Sequence, residues 1–273
     1  MTPAHWDESL AQEYRNFRYR FASNALANRT VIVAGGTGGL GAAVVALLAL
    51  EKCRLVVGFR SNRARAEGLR RKAREEWGAE IELIEGDIRE AATRKHYVSA
   101  AESSGDSLAG AVILPGDPAR VAFDALDDEA LRDSFEANYA GPILLAKELG
   151  AVMERGAGGS VVLMASMQAV APFPSSLNYA GPKAALVHGA RVLAQQWKKV
   201  SVNVVAPGAT VVGMAESSVS SGKYDRYMES GAVARFGKPE DVARAVRFFL
   251  EPDGYVTGQV LVVDGGLTIR RDR

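Results

Sequence analysis

The sequence predicts an α/β protein in which a single parallel sheet is covered by helices on both faces. Short apolar runs alternate with segments of helix length along almost the whole chain. The early runs are continuously apolar, which is typical of strands that are buried on both faces of a parallel sheet. No composition break or internal repeat interrupts residues 28–268. We therefore expect one domain.

Seven apolar runs are candidate strands, at residues 30–34, 54–59, 80–85, 110–114, 159–164, 200–205 and 260–263. Amphipathic or alanine-rich segments lie between most of them. A strand followed repeatedly by a helix is the pattern of parallel βαβ units. Residues 28–273 are therefore assigned to this domain.

Residues 1–27 form an extension before the first strand. Leu10, Tyr14, Phe17 and Phe21 recur at helical spacing and would form one apolar stripe. The extension is expected to be helical. It could pack on its own domain, contact another subunit or cover a substrate site.

The composition is that of a globular protein, with 48% hydrophobic and 24% charged residues among 273. Thirty-three basic and 32 acidic side chains leave a net charge of +1, so nucleic acid and membrane lipid are not expected partners. One cysteine, Cys53, allows no internal disulfide, and it shows no metal-ligand spacing with the three histidines. A reducing, cytoplasmic location is expected, with no bound metal.

Two segments bear on membrane insertion and targeting. The N-terminus is charged and lacks the apolar centre of a signal peptide. Residues 31–50 carry no charge and are long enough to span a bilayer. Glycines in the middle of that stretch disfavour one long helix, because glycine is costly inside a helix. A strand, a glycine turn and a helix are predicted instead.

The glycine turn itself is a candidate nucleotide site. Gly35, Gly39 and Gly41 follow the spacing G-x-x-x-G-x-G, and Gly36, Gly38 and Gly41 also satisfy G-x-G-x-x-G. Missing side chains let a backbone approach a pyrophosphate, and a helix start offers free N–H groups. Because the turn joins the first strand to a helix, it predicts a Rossmann-like, doubly wound dinucleotide fold. A glycine turn without a ligand is the alternative.

The end of the second strand bears on cofactor choice. In a dinucleotide fold this tip meets the adenosine ribose, where an acid would favour NAD. Residues 56–63 contain no acid, whereas Arg60 and Arg63 could hold a 2′-phosphate. The sequence therefore favours NADP(H) over NAD(H). The competing interpretation is a solvated helix face formed by Arg63, Arg65, Arg70 and Arg71.

Tyr179 and Lys183 form the spacing Y-x-x-x-K, which places both side chains on one face of a helix. Ser166 stands at the end of the preceding apolar run. A serine at a strand end and a tyrosine on the following helix can meet at the carboxyl edge of the sheet, where such folds bind ligands.

Together these motifs resemble a classical short-chain dehydrogenase/reductase, especially the 3-oxoacyl-carrier-protein reductases. The resemblance is carried by the glycine turn, Ser166, the Tyr179–Lys183 pair, the sequence VNVVAPG at residues 202–208, and the tail at residues 235–266. It implies hydride transfer between a nicotinamide and a carbonyl or secondary alcohol, with a 3-oxoacyl thioester as one candidate substrate. It also implies a homo-oligomer, either a tetramer or a dimer.

The resemblance assigns four catalytic roles. Tyr179 would be the general acid in reduction and the base in oxidation. Lys183 would bind the nicotinamide ribose and lower the pKa of that tyrosine. Ser166 would hydrogen-bond the substrate carbonyl, and Asn138 would hold a proton-relay water. As alternatives, Ser166 could be a strand-end cap and Asn138 an ordinary polar helix residue.

The resemblance also implies a set of cofactor contacts. Asp87 and Ile88 match the pair that flanks adenine, although Asp87 could be an ordinary turn residue. Pro207 and Gly208 match the turn beside the nicotinamide, and Thr210 would contact the carboxamide. The full set of expected cofactor residues is Gly35, Thr37, Gly39, Leu40, Gly41, Arg60, Ser61, Asn62, Asp87, Ile88, Gly116, Tyr179, Lys183, Pro207, Gly208 and Thr210.

The sequence departs from the family pattern at three places, of which Val212 and residues 113–115 weaken the cofactor prediction, whereas Ala34 affects a hydrogen bond near the fourth strand and not the phosphate site. Ala34 replaces the usual threonine, and Val212 replaces a threonine after the proline–glycine turn. Residues 113–115, Ile-Leu-Pro, replace the family's asparagines, although Gly116 remains. A non-catalytic NADP-binding regulator and a structural subunit are therefore the alternatives to an enzyme.

Residues 209–236 match the family's substrate cover, and their serines and glycines suit a mobile lid. Met214, Tyr224, Tyr227 and Met228 could line an apolar pocket or pack within a lid helix. A thioester, a steroid, a sugar and a small ketone all remain possible small-molecule substrates. Arg132 and Lys147 could meet an acidic carrier protein, or they could be ordinary surface cations.

Overall fold

The computed structural model describes residues 6–19, 24–174 and 176–270. Its seven strands form one parallel sheet in the order β3-β2-β1-β4-β5-β6-β7. The strands are β1 (Thr30–Ala34), β2 (Arg54–Phe59), β3 (Ile81–Glu85), β4 (Leu108–Ile113), β5 (Gly159–Met164), β6 (Val200–Pro207) and β7 (Val260–Val263). The predicted doubly wound fold is confirmed. The strand order reverses between β1 and β4, which is where such sheets form a ligand crevice.

The predicted strands agree closely with those of the structure. Four of them have the predicted bounds, β3 begins one residue later, and β4 lies slightly nearer the N-terminus. The largest difference is β6, which continues to Pro207 because it pairs with β7 as far as Pro207–Val263. This extension brings the proline–glycine turn directly to the carboxyl edge of the sheet.

Helices connect the strands and cover both faces of the sheet. They are α1 (Glu8–Arg15), α2 (Gly39–Leu50), α3 (Arg63–Lys72), α4 (Ala91–Ser104), α5 (Asp128–Phe135), α6 (Gly141–Arg155), α7 (Leu177–Gln196), α8 (Glu216–Ser220), α9 (Asp225–Glu229), α10 (Pro239–Phe249) and α11 (Leu267–Arg270). α2 packs against α10 on one face, and α6 packs against α4 and α7 on the other.

Alternation along β1 shows how the two faces share the core. Val31 and Val33 join the apolar cluster under α2 and α10. Ile32 and Ala34 join the cluster under α4, α6 and α7. Because successive side chains of a strand point to opposite faces, an uninterrupted apolar run serves both clusters.

The extension does contain a helix, but the helix does not pack into the core. α1 has no buried residue, and Leu10 and Tyr14 are exposed. The interpretation of a helix packed on its own domain is therefore wrong for α1. Phe17 lies beyond the helix end with a positive φ of 58°, and Phe21 lies outside the described residues.

Residues 31–50 form β1, the glycine turn and α2, as the glycine pattern predicts. α2 has only 12 residues. Within the described ranges, no helix has the length and apolar character that a membrane span requires.

Candidate active site

A cavity of about 160 Å³ opens at the carboxyl edge of the sheet. Ser166, Tyr179 and Lys183 all line it, together with Pro207 and Gly208. The strand-end serine and the helix pair therefore meet where the sequence places them. The residues come from the ends of β5 and β6 and from the first turns of α7.

Ser166 lies just after β5 and begins the short 3₁₀ turn Met167–Ala169. Its Oγ accepts a hydrogen bond from the backbone N–H of Gln168 at 3.2 Å. A side-chain hydrogen bond also joins Ser166 to Tyr179. The serine is thus both a cap and a wall of the cavity, so the two interpretations are compatible.

Lys183 lies one helical turn beyond Tyr179 on α7 and is only 1% exposed. Its Nζ donates a hydrogen bond to the backbone carbonyl of Met164 at 2.9 Å. The same atom lies 5.9 Å from the centre of the Tyr179 ring. The lysine is therefore anchored to the end of β5, close to the tyrosine.

The pKa values of this pair differ from the expectation. Burial raises the pKa of Tyr179 to about 12, against the smaller lowering effect of the Ser166 hydrogen bond. Burial lowers the pKa of Lys183 to about 7. The predicted lowering of the tyrosine pKa by Lys183 is therefore not seen. In this environment desolvation disfavours the charged form of both groups, so a weakly charged lysine cannot offset it.

Asn138 lies in the π-helical turn Glu136–Ala140 between α5 and α6 and is fully buried. Its Oδ1 accepts a hydrogen bond from the backbone N–H of Asp117 at 3.0 Å. Its Nδ2 donates to the Oγ of Ser134 at 3.2 Å. These bonds fix the asparagine side chain against the loop that follows β4.

Gly116 brings that loop against the lysine and the asparagine. A Cβ at Gly116 would lie 2.7 Å from the Oδ1 of Asn138 and 3.1 Å from the Nζ of Lys183. Any larger residue at position 116 would require Asn138 or Lys183 to move. The loop, Asn138 and Lys183 therefore form one packed unit behind Tyr179.

The glycine turn is shaped to receive a dinucleotide. Gly35 has a positive φ of 75°, which closes the turn after β1. A Cβ at Gly41 would lie 2.3 Å from the carbonyl oxygen of Gly35, so the turn and the helix start are in direct backbone contact. The first N–H groups of α2, at Gly39 and Leu40, have no acceptor within the helix and suit a pyrophosphate. The turn therefore fits a bound dinucleotide.

The second strand ends in a basic, exposed tip. Arg60 and Ser61 are exposed, whereas the Asn62 Oδ1 caps α3 by accepting from the N–H of Arg65 at 2.9 Å. Arg63 is paired with Glu85 and lies over the ring of Phe59. Arg65 is exposed, as the competing interpretation of a solvated helix face has it, and its Nε also donates to the carbonyl of Thr37 in the glycine turn at 2.6 Å.

The turn after β3 carries the expected adenine-flanking pair. Asp87 is held by a two-pronged ion pair with Arg89, whose Nε and Nη2 lie 3.0 and 2.7 Å from Oδ2. This contact lowers the pKa of Asp87. The Nη1 of the buried Arg94 donates to the carbonyls of both Ile88 and Arg89 at 2.9 Å. Nothing in the sequence pattern marks Arg94 for this role.

The departure from the family pattern at residues 113–115 is compensated by packing. Leu114 is buried, and the Pro115 ring lies 3.2 Å from where a Gly35 Cβ would be, so the loop is closely packed without the asparagines. The Oγ1 of Thr210 donates to the carbonyl of Val212 at 3.3 Å. Thr210 lines the cavity, and its contact with a carboxamide stays a prediction.

The lid contributes residues to the cavity that the motifs do not identify. Tyr224 lines the cavity and shares a side-chain hydrogen bond with Gln168. The Nη2 of Arg120 donates to the carbonyl of Met214 at 2.6 Å, joining the loop after β4 to the lid. Tyr227 packs in a small apolar cluster under the lid, whereas Met228 is exposed. These partners are far apart in sequence, so no local spacing could reveal them.

Comparison with known proteins places this site in a family. A family model described as enoyl-(acyl carrier protein) reductase matches residues 34–268. An uncharacterized oxidoreductase of Methylorubrum extorquens is 31% identical, over 89% of this chain and 98% of that protein. A 3-oxoacyl-[acyl-carrier-protein] reductase of Aggregatibacter actinomycetemcomitans is 28% identical, over 88% of this chain and 99% of that protein.

A solved short-chain type dehydrogenase/reductase of Mycobacterium ulcerans has a TM-score of 0.82 at 28% identity, covering 89% of this chain and 91% of that chain. The fold and the matched region define an NAD(P)-dependent oxidoreductase that acts on CH–OH and C=O groups. The chain belongs to the classical short-chain dehydrogenase/reductase family.

Proposed function

We propose that this protein is an NADP(H)-dependent oxidoreductase that interconverts a ketone and a secondary alcohol, with Tyr179 as the proton donor and acceptor. The observation that carries the proposal is the meeting of Ser166, Tyr179 and Lys183 in one cavity beside the glycine turn. The bound nicotinamide supplies or accepts the hydride. Within the 28–273 domain, the protein side chains orient the carbonyl and move the proton.

The proton route begins at the Tyr179 hydroxyl. With its pKa raised to about 12, the tyrosine is fully protonated at neutral pH and is ready to donate when a carbonyl is reduced. Ser166, which shares a hydrogen bond with that hydroxyl, would hold the substrate oxygen beside it. The side chain of Lys183, backed by Asn138 and Gly116, would then return a proton to the tyrosine through water.

The residues of the cofactor site fit a dinucleotide along its whole length. The turn at residues 35–41 would receive the pyrophosphate, Asp87 and Ile88 the adenine, and Pro207 and Gly208 the nicotinamide. Lys183 would bind the nicotinamide ribose. The resemblance assigns these roles. Close packing at two glycines supports them, because a side chain at Gly41 in the glycine turn or at Gly116 in the loop after β4 would collide with surrounding atoms.

The preference for NADP(H) rests on the basic tip of β2. Arg89 mainly lowers the pKa of Asp87, and the charge of Arg60 adds a smaller effect, so Arg60 lies near the turn that would receive the adenine. Arg65 brings a second guanidinium to the glycine turn. Arg63 contributes less because Glu85 neutralises it. An arginine pair suits a 2′-phosphate, which presents several acceptor oxygens.

We also propose a cytoplasmic homo-oligomer, either a dimer or a tetramer. Several large apolar side chains remain exposed on α5, α6 and α7, namely Leu131, Phe135, Leu144, Leu177 and Val192. Helix faces of this kind suit burial against a second copy. The exposed apolar side chains of α1 and its flanks make residues 1–27 a candidate for the same contact.

A turnover assay with the Tyr179→Phe variant tests the proposed chemistry. NADPH consumption is measured with a panel of ketones that includes acetoacetyl thioesters. Phenylalanine removes the proton donor while keeping the ring, so we expect a loss in kcat of about 10²-fold or more. Calorimetric titration with NADPH provides the control, because cofactor affinity should change little. Full activity in the variant would exclude Tyr179 as the acid.

A further inference from the structure

The cavity that holds Ser166 and Tyr179 has an uneven distribution of charge. Three of its lining residues are basic, Arg120, Lys183 and Lys223, and none of the described lining residues is an acid. Lys183 belongs to the catalytic group already described. Arg120 and Lys223 have no assigned role in that group, and they approach from the loop after β4 and from the lid.

Among the described residues, one hydrogen bond fixes Arg120 at the cavity. Its Nη2 donates to the carbonyl of Met214 at 2.6 Å, which leaves the other guanidinium donors available. In the described part of the chain, neither Arg120 nor Lys223 forms an ion pair. Arg120 also borders a neighbouring cleft, whose lining includes the acids Asp117, Asp127, Glu129 and Asp133. The Oδ1 of Asp117 accepts from the N–H of Ala119 at 2.8 Å.

Tyr224 joins these cations to the reacting end of the cavity. It is only 6% exposed, and its hydroxyl shares a hydrogen bond with Gln168, whose backbone N–H donates to the Oγ of Ser166. The charge of Arg120 acts to lower the pKa of the Tyr224 hydroxyl, although burial gives a net increase. Arg120 and Tyr224 also both line the first cavity.

A second cavity, of about 290 Å³, extends the site away from Tyr179. It shares Gln168, Lys223 and Tyr224 with the first cavity and adds Arg226 as a further cation. Again none of its described lining residues is an acid. The positive region thus begins beside the reacting end and continues outward beneath the lid.

We propose that the substrate is an anionic oxo compound whose charged group is bound by Arg120, Lys223 and the hydroxyl of Tyr224. The charged group is a carboxylate, or the phosphate of a larger thioester substrate. An arginine fork and a lysine bind either group through charge-assisted hydrogen bonds. The glycine turn provides for the cofactor pyrophosphate without either cation, so both remain available to the substrate. This inference rests on the proposed ketone–alcohol chemistry and names its substrate class.

Matched pairs of ketones provide the test. Wild-type kcat/KM is measured for acetoacetate and its neutral isostere acetoacetamide, and for levulinate and levulinamide, with acetoacetyl-CoA as the phosphate-bearing arm. We expect kcat/KM for at least one anionic compound to exceed that for its neutral amide by tenfold or more. Preference for acetoacetyl-CoA over both acids would identify the phosphate as the charged group, and the reverse would identify the carboxylate.

The variants Arg120→Gln and Lys223→Gln should each lower the ratio of anionic to neutral kcat/KM by about tenfold, mainly through KM for the anion. Arg74→Gln is the matched control, because Arg74 is exposed beyond α3 and pairs with Glu80 at 2.8 Å. Its ratio should equal that of the wild type. An unchanged ratio in both Arg120→Gln and Lys223→Gln would overturn the proposal.

Two further outcomes separate this inference from the function on which it rests. If the amides are reduced as fast as the acids, the substrate inference is wrong and the oxidoreductase remains. If none of the compounds is reduced, each anion is titrated calorimetrically into the NADPH-bound protein. Binding that is lost in Arg120→Gln would support the anion site while counting against the proposed chemistry. No binding would overturn the site.

Discussion

Ser134 accepts a hydrogen bond from the side chain of Asn138, with the Nδ2 of the asparagine 3.2 Å from the Oγ of the serine. Both side chains are buried. The hydroxyl of Ser134 donates in turn to the carbonyl of Asn178, the residue before Tyr179. One hydroxyl therefore links the π-helical turn that carries Asn138 to the helix that carries Tyr179.

Replacing Ser134 by alanine should disturb both stability and turnover. The variant leaves the buried Nδ2 of Asn138 without its acceptor, which should lower the free energy of unfolding by about 1–3 kcal/mol. We expect kcat to fall more than KM rises, because Asn138 loses its orientation. Urea unfolding and steady-state kinetics provide the measurements.

Two companion variants test whether Ser134 has a positioning role. Ser134→Thr keeps the hydroxyl and should recover much of kcat. Ser103→Ala is the control, because the exposed Ser103 hydroxyl donates only within α4, to the carbonyl of Ser99 at 2.8 Å. A loss of stability in Ser134→Ala with an unchanged kcat would make the serine merely structural.

Burial of Lys183 should make the stability of the cofactor-free protein depend on pH. Its pKa falls from 10.5 to about 7 on folding, so between these values the unfolded chain binds more protons than the folded one. Stability therefore rises with pH across this window, and the destabilisation is complete below pH 7. The free energy of unfolding of the wild type should therefore increase relative to that of Lys183→Met between pH 7 and pH 9.

Chemical denaturation at the two pH values measures this gap. Lys147→Met, on the exposed side of α6, is the control and should differ from the wild type by the same amount at both. If the difference in unfolding free energy between Lys183→Met and the wild type is also the same at both pH values, then folding does not lower the pKa of Lys183.

Arg60 should distinguish the two nicotinamide cofactors. Arg60→Ala should weaken NADPH binding by about tenfold or more, because hydrogen bonds to charged groups contribute about 1.5–3 kcal/mol each. NADH, which lacks the 2′-phosphate, should be affected much less. Calorimetric titration measures both affinities, with Arg71→Ala on the exposed face of α3 as the control. Equal losses of affinity for NADPH and NADH would show that residues other than Arg60 distinguish the two cofactors.

Two Gly→Ala substitutions should have opposite consequences. A Cβ at Gly41 would lie 2.3 Å from the Gly35 carbonyl oxygen and 2.7 Å from the Gly36 Cα, so backbone must move and cofactor affinity should fall sharply. Gly68, on α3, has nothing within 4 Å of its Cβ position. There alanine should raise the free energy of unfolding by about 0.5–1 kcal/mol. Retained cofactor affinity in Gly41→Ala would show that the glycine turn does not bind the cofactor pyrophosphate.

Much of the architecture could be predicted because its causes are local. Apolar runs that must be buried on both faces predicted the parallel sheet, and the glycine spacing predicted the turn between β1 and α2. The positions of Tyr179 and Lys183 followed from helical spacing together with their setting after the strand that ends at Ser166. Tertiary pairing decided the strand ends, as in β6, which extends because β7 lies beside it.

Other features depend on long-range packing, and the sequence could not reveal them. The contact between Arg120 and Met214 joins residues from two separate loops, and Arg94 reaches back to the turn after β3. The raised pKa of Tyr179 and the lowered pKa of Lys183 reflect a desolvation that only the folded surroundings create.

By itself, then, the amino-acid sequence determined the fold class, the glycine turn and the spacing of the serine, tyrosine and lysine. These features arise from patterns that repeat within one strand, turn or helix. The tertiary structure alone decided which cations face the cavity, which are neutralised by neighbouring acids, and how burial changes the proton affinity of the reacting groups. The physical reason is that charge pairing and desolvation depend on distances between segments that only folding brings together.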